Sequence, residues 1–422
     1  MKAPFSWDPY SDQPYQLKDR AYKKRMRKRE LLSLLLTIFS ALLIFPLVLL
    51  LQFVLPRRHI TSEHFFGMSI DLDRAPEQTR ALVEELNVNT ILIRLPLWEM
   101  ERLSSYVDLI RVYADKKIIL NVMQDREHVE DLELLQRDLR QLFGALKDDV
   151  ALFQVGSTIN RAKWGFFSVH EYLRFYQVAY RLKKEQFPTL KLMGPSVIDF
   201  EYHFTIHALF NFFRLKYDAL SALLYVDRRG APENRQMGFD LTRKITLLDA
   251  IAFFSPKSAR KIYITETNWP ISDTAPYAPT SEYECVSEEE YTDYMLRYYL
   301  LAFASQRVDA VYWHQLIAPG YGLIDDREKM RRRSAFYAFK VMTAQLQGME
   351  FVRYTVKEGL HALTLKRDDR EVTVQWSLTP TQFTPDPDVT CLDLNGTRLD
   401  DTTLTLSGSP IYLITKTTTH EQ

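Results

Sequence analysis

The sequence has few cysteines and no excess of charge of one sign. Its 422 residues include only Cys285 and Cys391, too few for the disulfide framework of a small secreted domain, and whether the two pair stays open. The 54 Lys and Arg residues balance 54 Asp and Glu residues. Nine basic and four acidic residues lie within residues 1–30, so the remainder carries 45 basic and 50 acidic residues. The folded part therefore has no basic excess, which argues against nucleic acid as a partner.

Motifs for phosphate and metal binding are also missing. The first apolar run that predicts a strand contains Gly67-Met-Ser-Ile, which is not the Gly-rich phosphate loop of a doubly wound nucleotide-binding sheet. No spacing of His, Cys and Asp residues indicates a metal site. We therefore expect neither a metal nor a cofactor.

The distribution of apolar residues predicts the fold class. Hydrophobic residues make up 46% of the chain, enough for a sizeable core, and the length suffices for two or three domains. Short apolar runs alternate with amphipathic stretches, and the runs that predict strands are residues 64–70, 90–94, 117–122, 150–155, 190–193, 219–225, 261–265 and 310–313. This alternation predicts an α/β fold, a (β/α)8 TIM barrel over residues 60–347, with an open doubly wound sheet as the main alternative.

The pattern changes after Gln347. Short runs there alternate apolar and polar residues with a period of two, and turn signals such as Asn395-Gly396 separate them. This pattern predicts a small antiparallel β-sandwich over residues 348–418. We expect it to pack against the barrel and stiffen it.

One segment near the N-terminus predicts a membrane anchor. Residues 31–55 are 25 positions without a charge, long enough to cross a bilayer with some tilt. A basic run over residues 23–29 precedes the segment, and only Arg57 and Arg58 follow it closely. The positive-inside rule then predicts a single-pass protein of the inner, or cytoplasmic, membrane, with residues 1–30 as a basic cytoplasmic tail and the barrel in the periplasm or outside. Residues 1–22 have no periodicity, so we expect this part of the tail to be flexible. A cleaved signal peptide and a buried core helix are the alternatives.

Polar and aromatic residues follow the predicted barrel strands, where the active sites of such barrels lie. Indole rings pack well against the C–H faces of sugar rings, and amide and guanidinium groups bind hydroxyls, so these residues predict a carbohydrate site. The alternative is that the tryptophans cap the barrel core and the histidine is an ordinary rim residue. The candidate substrate-binding residues are Arg94, Trp98, Gln124, Asn160, Trp164, Tyr225, Asn268, Trp269, Trp313 and His314.

Glu266 is the candidate catalytic residue. It follows the apolar run of the seventh predicted strand, so it should be partly buried at the barrel mouth. A carboxylate in that place is costly unless it is paired or functional. Arg94 is the natural partner, because its guanidinium would hold Glu266 ionised. The alternative is a purely structural ion pair.

Several motifs at these strand ends, taken in their order along the chain, resemble those of the clan A glycoside hydrolases, and most of all the family 39 type. The resemblance covers about residues 60–420. The segment Ile264-Thr-Glu-Thr-Asn-Trp-Pro270 is similar to the strand-seven motif that carries the nucleophile, and Arg94 and Trp313 match a strand-two arginine and a strand-eight tryptophan. The segment from Gly156 to Gly165 aligns with the strand-four motif. The resemblance implies a barrel with an attached β-sandwich and a retaining mechanism in which Glu266 is the nucleophile.

The resemblance also shows what is missing. Where the family has Asn-Glu after strand four, this chain has Ser157-Thr158, so Thr158 stands at the position of the missing acid/base. A retaining glycosidase needs an acid about 5 Å from its nucleophile, and a hydroxyl cannot donate a proton near neutral pH. Three alternatives stay open. Another carboxylate supplies the proton, with Asp199, Glu201, Asp227 and Glu233 as candidates; the substrate has a leaving group that needs no acid; or the barrel only binds glycan.

Two functional hypotheses follow. The first is a membrane-anchored glycosidase or transglycosidase that acts on O-glycosyl bonds of a cell-envelope or exported polysaccharide, with Glu266 as nucleophile. The second is a catalytically degenerate glycan-binding protein that assists polysaccharide assembly. In both, the expected partners are a poly- or oligosaccharide, a lipid bilayer through residues 31–55, and envelope polysaccharide machinery.

Overall fold

The computed structural model describes residues 5–416, so the last two residues of the predicted sandwich lie outside the described part. Its centre is a closed barrel of eight parallel strands, each paired with the next, in which the eighth pairs with the first. The strands are β1 Phe66–Ile70, β2 Thr90–Pro96, β3 Lys117–Met123, β4 Leu152–Val155, β5 Leu192–Ile198, β6 Ala219–Leu223, β7 Ile262–Thr267 and β8 Ala310–Trp313. The predicted TIM barrel is confirmed.

Helices surround the barrel and bury the outer faces of its strands, which explains why the strands are nearly continuous apolar runs. The helices are α1 Arg20–Arg29, α2 Leu31–Leu51, α3 Pro76–Glu85, α4 Leu103–Val112, α5 Arg126–Glu130, α6 Leu132–Leu146, α7 Val169–Glu185, α8 Tyr202–Leu209, α9 Leu241–Phe254, α10 Glu288–Ser305 and α11 Ser334–Leu346. Helix α10 starts with a capping box, in which Ser287 and Glu290 satisfy each other's backbone N–H groups.

The barrel interior changes character along its axis. Its amino-terminal part is filled by one apolar cluster, made of Leu92, Ile119, Leu152, Met193, Ala219, Tyr263, Ala310 and Tyr312. Two or three residues further along their strands, Gln154, Ser196 and Ser221 form a hydrogen-bonded polar layer with Thr265. The interior is therefore sealed at the amino end and polar below the carboxyl ends, where the candidate site lies.

The C-terminal region is antiparallel. Its strands are β9 Glu350–Lys357, β10 Leu360–Arg367, β11 Arg370–Ser377, β12 Thr381–Phe383, β13 Thr390–Leu392, β14 Arg398–Leu399, β15 Leu404–Leu406 and β16 Ile411–Lys416. Six of them form one sheet, and β12 pairs with β15 in a second, two-stranded layer. The sheet joins the barrel through Arg297 of α10, which donates to Gly408 O at 2.8 Å, and through Trp376, which donates to Glu233 at 3.1 Å.

The N-terminal segment lies on the barrel, contrary to the flexible tail expected from its sequence. Trp7–Asp8 and Gln13–Pro14 pair as a short antiparallel ribbon. Helix α1 is tied to the barrel by an ion pair between Arg29 and Glu171 at the start of α7. No feature of the sequence predicts this packing, because the contacts involve single side chains and no periodic pattern.

Helix α2 packs along the outside of the barrel against α7, α8 and α9. Near its start, Ser33 Oγ accepts from the backbone N–H of His170 at 3.2 Å; beyond its end, Arg307 donates to the backbone oxygen of Leu55 at 2.7 Å. The helix has a mean hydropathy of 2.9 and is long and apolar enough to cross a membrane. Its outer face is exposed and apolar, with exposed fractions of 69% for Leu32 and 72% for Leu42.

Candidate active site

Glu266 lies near the end of β7 and is largely buried, with 8% of its surface exposed. The hydroxyl of Tyr225, two residues beyond β6, donates to its Oε1 at 2.6 Å. Its Oε2 forms an ion pair with the guanidinium of Arg94 on β2. The chain thus brings three residues from separate strand ends to one carboxylate, as the sequence predicted for Glu266 and Arg94.

The electrostatics of this group keep Glu266 ionised. Burial raises the pKa of Glu266, but the charge of Arg94, together with the hydrogen bond from Tyr225, outweighs burial, so the pKa lies below its ordinary value. Burial lowers the pKa of Arg94, yet Glu266 and the carboxylate of Asp12 raise it more. Burial and the nearby Arg94 lower the pKa of His314 to about 3, so this imidazole is neutral at physiological pH.

A cavity of about 450 Å³ opens beside Glu266, within the range of small-ligand sites. The barrel residues that line it include Arg94, Asn160, Arg161, Lys163, Trp164, Tyr225, Arg229, Glu266, Asn268, His314 and Tyr321. The ribbon adds Ser11, Asp12 and Gln13. Among the described residues on this cavity, the only carboxylates are Glu266 and Asp12.

A second, larger groove of about 970 Å³ adjoins this cavity and shares Lys163 and Trp164 with it. Its wall carries three tryptophans. The ring of Trp7 lies 5.3 Å from that of Trp98 and 5.7 Å from that of Trp164, between centroids. The cavity and the groove are therefore neighbours, with Lys163 and Trp164 in contact with both.

Seven of the sequence-predicted residues line the cavity: Arg94, Asn160, Trp164, Tyr225, Glu266, Asn268 and His314. Trp98 lines the neighbouring groove instead. Asn160 lies on the cavity wall, but its amide already donates to Glu201 at 2.7 Å and accepts from the backbone N–H of Ile198 at 3.0 Å. Gln124 is also occupied, because it bonds the backbone of Ser157 and Trp164 and so ties two loops together.

Two predicted tryptophans lie away from the cavity lining. Trp313 and Trp269 are fully buried and stack on each other with centroids 5.8 Å apart. The indole N–H of Trp313 donates to Tyr291 on α10 at 2.7 Å, and that of Trp269 donates to Arg229 O at 2.7 Å. These rings fill the space between barrel and helices, as the alternative of core-capping tryptophans expected, and His314 stands on the cavity at the end of β8.

Thr158 follows β4, as predicted, but it is completely buried and is not among the cavity-lining residues. Its backbone is in the left-handed region with φ of 51°, and its hydroxyl lies 3.4 Å from that of Ser157. The four carboxylates that the sequence offered as substitutes are likewise not among the lining residues. Glu201 and Asp199 both pair with Arg161 at 2.7 Å, and Glu233 pairs with Arg297.

Sequence reasoning missed Asp12, Arg161, Lys163 and Tyr321. Arg161 and Lys163 lie inside the segment that follows β4, so their place at the mouth was available from the predicted topology. The place of Asp12 could not be predicted, because a tail without periodicity contains no signal that the chain packs back onto the barrel.

Comparison with known proteins supports the fold. No family model matches the chain, and no curated protein matches it. Solved structures do: a family 39 glycoside hydrolase from Bacteroides cellulosilyticus WH2 has a TM-score of 0.64 at 15% identity, covering 85% of this chain and 82% of that chain. A GH39 β-xylosidase from Caulobacter crescentus has a TM-score of 0.58 at 11% identity, covering 86% and 98%. A GH51 arabinofuranosidase from Xanthomonas axonopodis pv. citri has a TM-score of 0.56 at 12% identity, covering 85% and 97%. The chain therefore has the barrel fold of these glycoside hydrolases.

Proposed function

We propose that this protein acts on O-glycosyl bonds by a retaining mechanism in which Glu266 is the nucleophile. The observation that carries the proposal is a buried carboxylate, kept ionised by Arg94 and Tyr225, on a cavity large enough for a sugar. An ionised carboxylate can attack the anomeric carbon and form a glycosyl ester. The shared fold with glycoside hydrolases agrees with this role.

The proposed substrate is a polysaccharide of the cell envelope or an exported polysaccharide. The groove beside the cavity supports this choice, because the partly exposed rings of Trp7 and Trp98 on its wall offer apolar surface for sugars beyond the one at Glu266. A free monosaccharide would leave this second hollow unused. Envelope polysaccharide machinery is the corresponding protein partner.

A second candidate is a glycan-binding protein without catalytic activity that assists polysaccharide assembly. The burial of Thr158 favours it, because the loop after β4, among its described residues, then places no carboxyl group on the cavity. Without an acid, only substrates with good leaving groups would react.

A mechanism-based label separates the two candidates. The protein is incubated with 2,4-dinitrophenyl 2-deoxy-2-fluoroglycosides of several common sugars, and digested peptides are analysed by mass spectrometry. The first candidate predicts one glycosyl adduct, on Glu266, that is absent in Glu266→Gln. Oligosaccharide binding by calorimetry with no adduct and no turnover of aryl glycosides or glycosyl phosphates favours the second candidate.

We propose further that α2 anchors the protein to a lipid bilayer. A helix that spans the bilayer, with the N-terminus in the cytoplasm and the barrel in the periplasm, would separate residues 5–30 from the barrel and break the contacts of Asp12 with Arg94 and of Arg29 with Glu171. The packed arrangement would instead rest the exposed apolar face of α2 on the membrane, beside the basic residues of α1.

Labelling from one side of sealed membrane vesicles distinguishes these arrangements. Ser6→Cys and Asp400→Cys, each in a background with Cys285→Ser and Cys391→Ser, place an exposed thiol before α2 and in the C-terminal sheet. A membrane-impermeant maleimide labels both from the same side in the packed arrangement. It labels them from opposite sides if α2 spans the bilayer. Release of the protein by carbonate washing contradicts a spanning helix, and recovery of the protein in the soluble fraction before any wash contradicts anchoring of either kind.

A further inference from the structure

The ribbon holds Asp12 at the barrel mouth by contacts on both sides. Asp12 lies in the turn of the ribbon with a φ of 51°, a conformation that Asp tolerates better than most residues. Next to it, Gln13 donates to the backbone oxygen of Pro279 at 2.9 Å and accepts from Lys163 at 2.6 Å. Tyr10 packs edge-on against Tyr277. The position of Asp12 is therefore fixed by loops that belong to the barrel.

Asp12 and Glu266 share one arginine. Oδ2 of Asp12 accepts from Nη1 of Arg94 at 3.0 Å, and Nη2 of the same guanidinium pairs with Glu266. Nε2 of His314 lies 3.9 Å from the same Asp12 oxygen. Both carboxylates line the cavity of about 450 Å³. A glycosidase of this mechanism needs two carboxyl groups beside its sugar, and Glu266 and Asp12 are the two that line this cavity among the described residues.

We propose that Asp12, from the N-terminal ribbon, is the proton donor and general base that the loop after β4 lacks. This rests on the proposed role of Glu266 as nucleophile. The N-terminal segment then completes the active site, and a chain without its ribbon would hold a nucleophile only.

The surroundings suit the two carboxylates to different roles. Burial raises the pKa of Asp12 to about 7; Arg94 opposes this, and the negative charges of Asp71 and Glu266 add to it. The pKa of Glu266 is lowered, so at neutral pH one group is ionised while the other still carries its proton for part of the time. The charged and titratable groups that face Asp12 are Arg94, Glu266, Asp71, Arg74, His314 and Tyr321.

The reaction balances without a co-reactant other than water. Glu266 forms a bond to the anomeric carbon as the glycosidic C–O bond breaks, and the leaving oxygen takes the electron pair and the proton of Asp12. Water then attacks the anomeric carbon and gives its proton to the Asp12 carboxylate. The ester bond breaks, and both side chains return to their starting states.

The test compares Asp12→Asn with the full-length wild type and with Asp8→Asn. Among the described residues, the Asp8 carboxylate accepts from its near neighbours Tyr10, Ser11 and Tyr15. The probes are phenyl and 2,4-dinitrophenyl glycosides, which differ in how much their leaving group needs a proton. Asp12→Asn should slow phenyl glycoside cleavage by about 10²–10⁴-fold and the bond-breaking step of the dinitrophenyl glycosides by less than about tenfold. Asp8→Asn should leave the rates for both substrates close to those of the wild type.

Two readouts are specific to an acid and base. In the wild type, kcat/KM for phenyl glycosides should fall as the pH rises through about 7, and this decline should vanish in Asp12→Asn. Azide should restore turnover of the dinitrophenyl substrate by Asp12→Asn and yield a glycosyl azide with retained configuration.

Other outcomes overturn the proposal in distinguishable ways. Equal effects on both substrates, or equal effects of Asp12→Asn and Asp8→Asn, mean that the ribbon is only structural. Faster turnover or tighter oligosaccharide binding in Asp12→Asn means that Asp12 blocks the sugar site. In both cases the wild type still forms the glycosyl adduct on Glu266. Absence of that adduct in the wild type overturns the proposed function itself.

Discussion

The ends of β4 and β7 meet at the same barrel mouth but are built in different ways. At β7, the chain buries a carboxylate and offsets its charge with Arg94 and the hydroxyl of Tyr225. At β4, it buries the neutral Ser157 and Thr158, with the amide of Gln124 bonded to the backbone of Ser157. The end of β7 thus holds a buried ion pair, whereas the end of β4 holds buried neutral side chains. The difference shows that two strand ends at one barrel mouth can be built from different kinds of side chain, one charged and one neutral.

This difference bears on the proposed role of Asp12, a carboxylate from outside the barrel. A buried anion is tolerated only where a cation or donors face it. Arg94 has two terminal nitrogens, and Glu266 uses one of them while Asp12 uses the other. The cation that supports the β7 end is therefore also the anchor for the ribbon. In the loop after β4, Arg161 is already paired with Asp199 and Glu201.

Glu266→Gln should have the largest effect of any single change at the mouth. The neutral amide cannot form a glycosyl ester, so turnover of activated glycosides should fall by at least about 10³-fold, or ~4 kcal/mol in the barrier. Glu201→Gln is the matched control, because Glu201 bonds Asn160 and Arg161 and is not among the cavity-lining residues. Steady-state kinetics and circular dichroism check both variants. Similar losses in the two would remove the distinction between the strand ends.

Arg94→Met should have the next largest effect, on stability as well as activity. It leaves two largely buried carboxylates without their cation, which costs about 3–5 kcal/mol of unfolding free energy for a buried pair. The pKa of Glu266 should also rise, so activity should be lost at a higher pH as the solution is acidified. Denaturant unfolding and a pH profile measure the two effects. Arg94→Lys keeps the charge but not the fork, and should lie between Arg94→Met and the wild type.

The sequence predicted the barrel because eight apolar runs and their helices are long-range periodic features. The predicted strand bounds lie within a few residues of the observed ones except at β5, which continues through Gly194-Pro195 to Ile198. In a sequence, a Gly-Pro pair predicts the end of a strand. In the barrel they fall where the pairing register of β5 with β6 shifts, between Met193 and Ser196.

The site was predictable only in part, because a strand end specifies position and not side-chain direction. Glu266, Arg94 and Tyr225 meet as topology requires. Trp313 was predicted to bind substrate, but its ring lies against Tyr291 on α10, where the indole N–H donates to a buried hydroxyl. Asp12 is held at the site by contacts of single side chains, which no periodic pattern in the sequence predicts.

Thr158→Glu sharpens the comparison from the opposite side. Judged from the sequence, this change would restore an acid; the structure predicts that it will not. Thr158 is completely buried, and no cation is bonded at its place in the loop, so the new carboxylate would be desolvated without a partner. We expect a loss of about 2–4 kcal/mol in stability and no gain in cleavage of phenyl glycosides. Thr158→Val keeps the shape without a charge and should cost less; a gain in cleavage by Thr158→Glu would mean that the loop opens onto the cavity.

Thr37→Val should have the smallest effect, and it tests the arrangement on which the ribbon depends. In the packed arrangement, Thr37 of α2 is buried with its hydroxyl 2.6 Å from Nδ1 of His207 on α8, so losing this contact should lower barrel stability by ~1 kcal/mol. Ser40→Ala is the control, because the Ser40 hydroxyl donates to the backbone oxygen of Thr37 within its own helix. Unfolding in detergent micelles, followed by tyrosine and tryptophan fluorescence, measures both. If α2 instead crosses the bilayer apart from the barrel, the two variants will unfold alike, and Asp12 will then lie on the wrong side of the membrane to meet Glu266.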